Sequence, residues 1–154
     1  MEYSVVEVNK DNYYMFDDMV FYRRHGRYKN EEESKEKQDF TEYYAALEIQ
    51  TFYVFAVQLE EIFVGYIFIN YLPKVGTGNG KGWTYIDDLW VNPNFRRQGV
   101  AAALMKKADA LSKEMNTLGL RLYVNTQNPE GISLYQKCGY AQKFGTCMLM
   151  QKEW

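Results

Sequence analysis

The sequence has few of the side chains that build metal sites and disulfide frameworks. Its 154 residues include one histidine, His25, and two cysteines, Cys138 and Cys147. The cysteines lie outside any metal-ligand spacing, so they are predicted to be buried thiols and not a disulfide bridge. These shortages argue against a metal centre and against a small fold held together by disulfides.

Long apolar runs and an excess of basic charge are also missing. No segment approaches the roughly 18 apolar residues that cross a bilayer, and residues 1–4 resemble no signal peptide, so a soluble cytoplasmic protein without a membrane partner is expected. The net charge of −2 argues against a nucleic-acid partner, which would need a basic face. No internal repeat or domain boundary is evident, so residues 1–154 are predicted to form a single domain.

What the chain does have is enough apolar surface for one substantial core, since 47% of its residues are hydrophobic and 17% aromatic. Periodicity and turn signals predict the order β-α-α-β-β-β-α-β-α-β. This order indicates an α+β fold with a mostly antiparallel sheet and one βαβ crossover, over 84–126. The predicted strands cover 3–8, 51–59, 62–71, 83–91, 118–126 and one or two within 140–152; the predicted helices cover 11–25, 28–48, a long stretch from about Arg96 and a short one from Asn128.

The stretch from Trp83 to Met105 joins an apolar strand to an amphipathic helix through a short turn. The helix opens on Arg96, Arg97 and Gly99, so cationic side chains, unpaired amides and the positive end of the helix dipole meet at one point. Gly99 also allows a ligand to approach the first turn closely. The pattern predicts an anion site at the start of this helix.

Two motifs in this order resemble the GNAT superfamily of acetyl-CoA-dependent N-acyltransferases. The first is RRQGVA, residues 96–101, which is similar to that family's Arg/Gln-x-x-Gly-x-Gly/Ala signature between a strand and a helix. The second is NTQNPEGISLYQKCGY, residues 125–140, which resembles the family's Asn-x-x-Ala-x-x-x-Tyr-x-x-x-Gly-Phe segment, with Gly131 for Ala and Tyr140 for Phe. The predicted element order is also that of the family, so the resemblance spans nearly the whole chain and implies a GNAT-type fold with a splayed central strand pair.

The resemblance implies acetyl-CoA as co-substrate, with pantetheine in the gap between two splayed strands and pyrophosphate on the turn amides. On this chain the implied pantetheine contacts are the backbone groups of Leu89, Trp90 and Val91. The remaining implied cofactor-binding residues are Arg96, Arg97, Gln98, Gly99, Val100, Ala101, Ala102 and Asn128. For the two arginines, the alternative is a solvated helix start.

Acetyl transfer to an amine needs a proton acceptor and a proton donor. Asp87 is the candidate base, because it lies on an otherwise apolar face with Tyr85, Leu89 and Val91; a structural aspartate is the alternative. Strand alternation places Asp88, the second candidate, on the opposite face with Thr84, Ile86 and Trp90, unless a bulge intervenes. The resemblance implies that Tyr135 is the general acid; a tyrosine that only packs its helix is the alternative.

The identity of the acceptor stays open. The acidic run Glu31–Glu33 favours a small cationic amine, although a solvated helix start explains it equally well. His25 is expected to be a surface residue, with an acceptor-site role as the alternative, and the glycine-rich stretch 73–82 is predicted to connect two strands, since it departs from the phosphate-loop pattern. A protein or peptide amine acetyltransferase, a non-catalytic acyl-CoA-binding regulatory module and a homodimer all remain open.

Overall fold

The computed structural model describes residues 2–76, 78–145 and 147–154, which divide into two compact units on either side of the Tyr123–Val124 bond. The first unit contains β1 (Ser4–Glu7), α1 (Tyr13–His25), α2 (Glu31–Lys35), α3 (Thr41–Leu47), β2 (Phe52–Leu59), β3 (Ile62–Leu72), β4 (Trp83–Val91), α4 (Val100–Glu114) and β5 (Leu120–Leu122). The second unit contains α5 (Pro129–Lys137). No helix within these ranges is long and apolar enough to cross a membrane.

The five strands lie in one sheet in chain order, β1-β2-β3-β4-β5. The neighbours from β1 to β4 pair antiparallel, and β4 pairs parallel with β5. The connection from β4 to β5 therefore passes through α4, as the parallel pair requires. This confirms the predicted α+β class with a mostly antiparallel sheet and a single crossover.

Helices cover both faces of the sheet. On one face, Phe16 of α1 packs on Tyr66 and Phe68 of β3, with ring centroids 5.3 and 6.0 Å apart. On the other face, Val100 begins α4 so close to Gly65 that a Cβ on this glycine would lie 2.9 Å from the valine side chain. Since Gly65 and Tyr66 are consecutive in a strand, α1 and α4 lie on opposite faces, and the sheet is buried between them.

The single helix predicted over 28–48 is wrong, because the stretch forms two short helices with an irregular segment between them. Asn30 caps α2 by accepting hydrogen bonds from the amides of Glu32 and Glu33. Asp39 accepts from the amide of Thr41 at 2.9 Å, which fixes the start of α3. Side chains that bond to nearby backbone amides favour helix starts over helix interiors, so each of them begins a new helix.

Other boundaries differ from the predictions. The long helix begins at Val100 and not near Arg96, since Arg97 and Gly99 have φ values of 61° and 87°, outside the helical region. The strand predicted over 118–126 is confined to Leu120–Leu122. The closing strands predicted within 140–152 do not form in the described part of that stretch. Cys147, which lies there, is exposed, so the prediction that it is a buried thiol is wrong. The connection 73–82 does join β3 to β4, and Thr77 within it lies outside the described residues.

Candidate active site

A β-bulge interrupts the central strand β4 at Asp87. The register with β3 pairs Phe68 with Asp88 and Ile69 with Ile86, so Asp87 is an extra residue on β4. An extra residue shifts the alternation of side chains from that point onward. The face assignment predicted for β4 is therefore wrong beyond the bulge.

Contacts on either side of the bulge confirm the shift. Before it, the hydroxyl of Thr84 donates to the hydroxyl oxygen of Ser112 on α4 at 2.8 Å. After it, Asp88 accepts a hydrogen bond from Arg23 on α1 at 2.6 Å. Regular alternation would have kept Thr84 and Asp88 on the same face, whereas the bulge sends Asp88 to the face that carries α1.

The same point of β4 is where its pairing with β5 stops. The parallel register covers Thr84, Tyr85 and Ile86, which pair with Leu120, Arg121 and Leu122. The rest of β4, 87–91, has no strand partner on that side among the residues that the structure describes. Unpaired strand edges present backbone N–H and C=O groups that an extended ligand can pair with.

The turn 92–99, called here the β4–α4 turn, leads from this open edge to the first amides of α4. The first helical bond runs from the amide of Ala103 to the carbonyl of Gly99 at 2.9 Å, so the amides of Val100, Ala101 and Ala102 have no acceptor within the helix. Apart from its two chain neighbours, no described residue has a heavy atom within 4 Å of the position that a Cβ on Gly99 would occupy. Arg97 is exposed here, and Arg96 donates from Nε to the carbonyl of Val91 at 3.1 Å. The arrangement suits an anion approaching the helix start.

Tyrosines from elsewhere in the chain hold the β4–α4 turn in place. Tyr3 donates to the side-chain oxygen of Gln98 at 2.9 Å. The side-chain amide of Asn94 donates to the hydroxyl oxygen of Tyr22 at 3.1 Å, and that of the buried Asn92 to Tyr28 at 3.4 Å. No sequence pattern marks these residues among the 14 tyrosines of the chain. They act on the turn and not on a ligand, so we regard them as positioning residues.

Asp88 belongs to a polar cluster on the α1 face. Its Oδ2 atom accepts from Nη1 of Arg23 at 2.6 Å and from the hydroxyl of Tyr66 at 2.7 Å, and Arg23 also donates to the Tyr66 hydroxyl. The Arg23 guanidinium lies 5.9 Å from the centroid of the Trp90 ring. Asp87, in contrast, is exposed, and no described residue hydrogen-bonds or ion-pairs with its carboxylate.

The second unit holds the other two predicted site residues. Asn128 caps α5, accepting from the amide of Gly131 at 3.0 Å, and a Cβ on Gly131 would lie 2.6 Å from this asparagine side chain. A side chain at position 131 would therefore require the Asn128 side chain to shift. Tyr135 lies on α5, half-buried, with its ring centroid 6.0 Å from that of Tyr140.

The residues expected near an acceptor have local partners. His25 is exposed in the last turn of α1, with its ring 4.3 Å from that of Phe21, which agrees with a surface residue. Glu33 accepts from both terminal nitrogens of Arg27 at 2.8 Å, and these hydrogen bonds lower the pKa of its carboxyl to about 2. This part of the acidic run therefore carries its own cationic partner.

Comparison with known proteins gives matches over most of the chain. A family model described as the acetyltransferase (GNAT) family matches residues 14–140. The catalytic subunit naa20 of the N-terminal acetyltransferase B complex from Schizosaccharomyces pombe is 30% identical over 74 residues, which cover 47% of this chain and 41% of that protein. The matches cover between 25% and 44% of the lengths of the similar curated proteins.

Two solved structures share the fold. An aminoglycoside acetyltransferase from an uncultured soil metagenomic sample, in complex with trehalose, has a TM-score of 0.78 at 18% identity, covering 98% of this chain and 97% of that one. The structure of AAC(6')-Iy in complex with the bisubstrate analogue CoA-S-monomethyl-acetylneamine has a TM-score of 0.77 at 11% identity, covering 99% of both chains. At these identities the likeness concerns the architecture of the chain.

Proposed function

The chain belongs to the GNAT acetyltransferase family, and on this premise we propose that it moves an acetyl group from acetyl-CoA to a primary amine by direct attack. The observation that carries the proposal is the open edge of β4 beyond Ile86, which runs to the amides at the start of α4 that have no acceptor within the helix. A strand edge for an extended amide-bearing arm and a helix start for a diphosphate are the two features that coenzyme A would need.

The proposed cofactor contacts follow the two parts of that path. Backbone groups of Leu89, Trp90 and Val91 would pair with pantetheine, and amides from Arg97 to Ala102 would hold the pyrophosphate. Arg96 and Arg97 would add positive charge, as would the helix dipole. Asn128 stays a prediction from the resemblance, because its observed contact is the cap of α5.

The attacking amine must lose a proton before its lone pair is available. At a pKa of about 10.4 this costs roughly 4 to 5 kcal/mol at pH 7, at about 1.36 kcal/mol per pKa unit. We propose that Asp87 takes this proton, directly or through water, because its carboxylate is exposed and has no partner among the described residues. The amine nitrogen then bonds to the acetyl carbon, the carbon–sulfur bond breaks, and Tyr135, in the role that the resemblance implies, gives a proton to the departing thiolate.

The acceptor is proposed to be a small amine. One structure with this fold is an aminoglycoside acetyltransferase and another holds the bisubstrate analogue CoA-S-monomethyl-acetylneamine, which supports a small-molecule acceptor. The likeness to a catalytic subunit of an N-terminal acetyltransferase complex supports a protein or peptide amine as the second candidate. A single domain, a cytoplasmic location and a homodimer stay predictions from the sequence.

A thiol-release assay tests the proposal. Purified protein is mixed with acetyl-CoA and, in separate reactions, with polyamines, aminoglycosides, amino acids and short peptides, and free coenzyme A is followed with a thiol-reactive dye. Release that depends on an amine, with the acetylated product seen by mass spectrometry, is the expected result. Acetyl-CoA binding without release for any amine would favour the regulatory-module alternative, and absence of binding would overturn the site itself.

A further inference from the structure

The cluster that holds Asp88 combines a fixed positive and a fixed negative charge beside the open edge of β4. We propose that the acceptor carries a carboxylate of its own close to its amine, as a free amino acid does. The carboxylate pairs with Arg23 and the amine lies at Asp88. This inference rests on the proposed acetyl transfer and narrows its acceptor class.

Arg23 is held by contacts on several sides. Its Nη1 atom donates to Oδ2 of Asp88 at 2.6 Å and to the hydroxyl of the buried Tyr66. Its guanidinium lies 5.7 Å from the ring centroid of Tyr66 and 5.9 Å from that of Trp90. Cation–π and charge-assisted contacts of this kind fix a long side chain in one geometry. Trp90 also lies on the strand edge proposed for pantetheine, which brings the cluster next to the reaction.

Both members of the pair keep unused hydrogen-bonding capacity. The Arg23 and Asp88 side chains are 39% and 31% exposed, so a ligand can reach them. A guanidinium has five N–H donors, and within the described ranges only those on Nη1 are hydrogen-bonded to protein. Asp88 accepts through Oδ2, which leaves Oδ1 for an ammonium group. A carboxylate and an amine one carbon apart match a pair whose charged atoms are 2.6 Å apart.

The surrounding charges disfavour an acceptor that carries only positive charge. An ammonium at Asp88 also meets the guanidinium of Arg23, and like charges at this separation repel unless an anion accompanies the ligand. Three other acidic groups of the α1 and α2 region already have cations: Lys29 lies 2.6 Å from Asp17 and 2.7 Å from Asp18, and Arg27 pairs with Glu33. A polycation therefore finds little uncompensated negative charge on these residues.

Matched acceptors and an arginine series test the inference. The probes are L-alanine and L-phenylalanine, each against its carboxamide, with spermidine as a polycation. Thiol release gives kcat/KM for each probe with the wild-type protein, Arg23→Gln, Arg23→Lys and Arg24→Gln. Arg24 is the exposed neighbour on the same helix and serves as the control. The acid-to-amide ratio is the kcat/KM of an amino acid divided by that of its carboxamide. Effects of a substitution on folding or cofactor binding change both values equally and cancel in this ratio.

The wild-type protein should prefer the acid, and Arg23→Gln should lower the acid-to-amide ratio roughly 10- to 100-fold, the range expected for a hydrogen bond to a charged group. Arg23→Lys keeps the positive charge but loses the planar guanidinium, so its ratio should lie between those of the wild type and Arg23→Gln. The ratio for Arg24→Gln should equal that of the wild type. A wild-type preference for spermidine or for the amides, or an unchanged ratio in Arg23→Gln, would overturn the inference while leaving acetyl transfer standing.

A binding measurement separates this failure from failure of the proposed function. Calorimetry of L-phenylalanine and its carboxamide is done with the protein saturated by desulfo-coenzyme A, which cannot react. Tighter binding of the acid that is lost in Arg23→Gln supports the site even if no turnover is seen. Equal binding of acid and amide rejects it whatever the turnover assay gives.

Discussion

A carboxylate introduced at Ala102 should separate the stability of α4 from its capacity to bind coenzyme A. Ala102 is exposed and is the third residue of the helix. A glutamate at this position lies in the first turn, where negative charge stabilises a helix by about 0.3–1 kcal/mol. Ala102→Glu should therefore fold at least as well as the wild type, yet bind the cofactor more weakly, because the new charge lies beside the amides proposed for the pyrophosphate.

The size of the effect follows from the charges involved. With roughly two negative charges on the diphosphate, a separation of about 6 Å and an effective dielectric constant of about 40 to 80, the repulsion is about 1.4 to 2.8 kcal/mol. Affinity for coenzyme A should fall about 10- to 100-fold, at about 1.4 kcal/mol for each factor of ten. The loss should shrink at high salt, since the screening length drops from about 10 Å at 0.1 M to about 3 Å at 1 M.

Isothermal titration of coenzyme A at low and high salt measures this loss, and thermal unfolding monitors the fold. Ala110→Glu is the matched control, because Ala110 is exposed on the same helix but far from its first turn. Wild-type affinity in Ala102→Glu, or an equal loss in Ala110→Glu, would contradict the proposal that the helix start holds the diphosphate.

Further predictions concern the proton transfers, the β4–α4 turn and the core. Asp87→Asn should slow thiol release and reshape its pH–rate profile without changing coenzyme A affinity; an unaltered profile would transfer the role of base to another group. Tyr135→Phe should lower kcat by roughly 10²-fold or more with the cofactor still bound, and an unchanged kcat would remove it from the mechanism. Tyr22→Phe removes a hydrogen bond to the β4–α4 turn and should weaken coenzyme A binding about 2- to 10-fold by calorimetry, whereas Tyr14→Phe, exposed on the same helix, should not. Burial, followed by the charge of the Asp17 carboxylate, raises the pKa of Tyr13 to about 12. The resulting contribution to the free energy of unfolding is fully present below about pH 10, the ordinary tyrosine pKa, and is lost as the pH rises through 12. In urea unfolding across this pH range, the free energy of unfolding should therefore decline less for Tyr13→Phe than for the wild type.

The architecture could be predicted because its signals are local. Alternating and 3.6-residue patterns identified the strands of the hairpin, the central strand and the long helix, and the order of elements then restricted the sheet to few topologies. The start of the long helix was placed too early, because Arg97 takes a positive φ that arginine rarely adopts and that no pattern announces. The break between α2 and α3 depends on Asp39, whose side chain bonds the backbone of Thr41, a competition that apolar periodicity does not register.

The candidate site could be predicted only where its residues are contiguous in sequence. The helix-start amides and the strand before them are contiguous in sequence, so their pattern was visible. Arg23 and Asp88 lie 65 residues apart, and Tyr3 and Gln98 lie 95 apart. Contacts over such separations are set by the register of the sheet, and a single sequence carries no periodic signal for them.

The bulge at Asp87 connects the fold to the chemistry. A bulge increases the local right-handed twist of a strand. This bulge lies where β4 stops pairing with β5. The strand edge therefore opens at the same residue at which the side chains of β4 change faces. Without it, Asp88 would share a face with Thr84 under α4, where neither Arg23 nor an amine approaching from the α1 side could reach its carboxylate. With it, both consecutive aspartates become accessible beside the open edge, one exposed at the bulge and one paired with Arg23. The roles proposed for them, Asp87 as proton acceptor and Asp88 as amine-binding group, therefore depend on the one extra residue in β4.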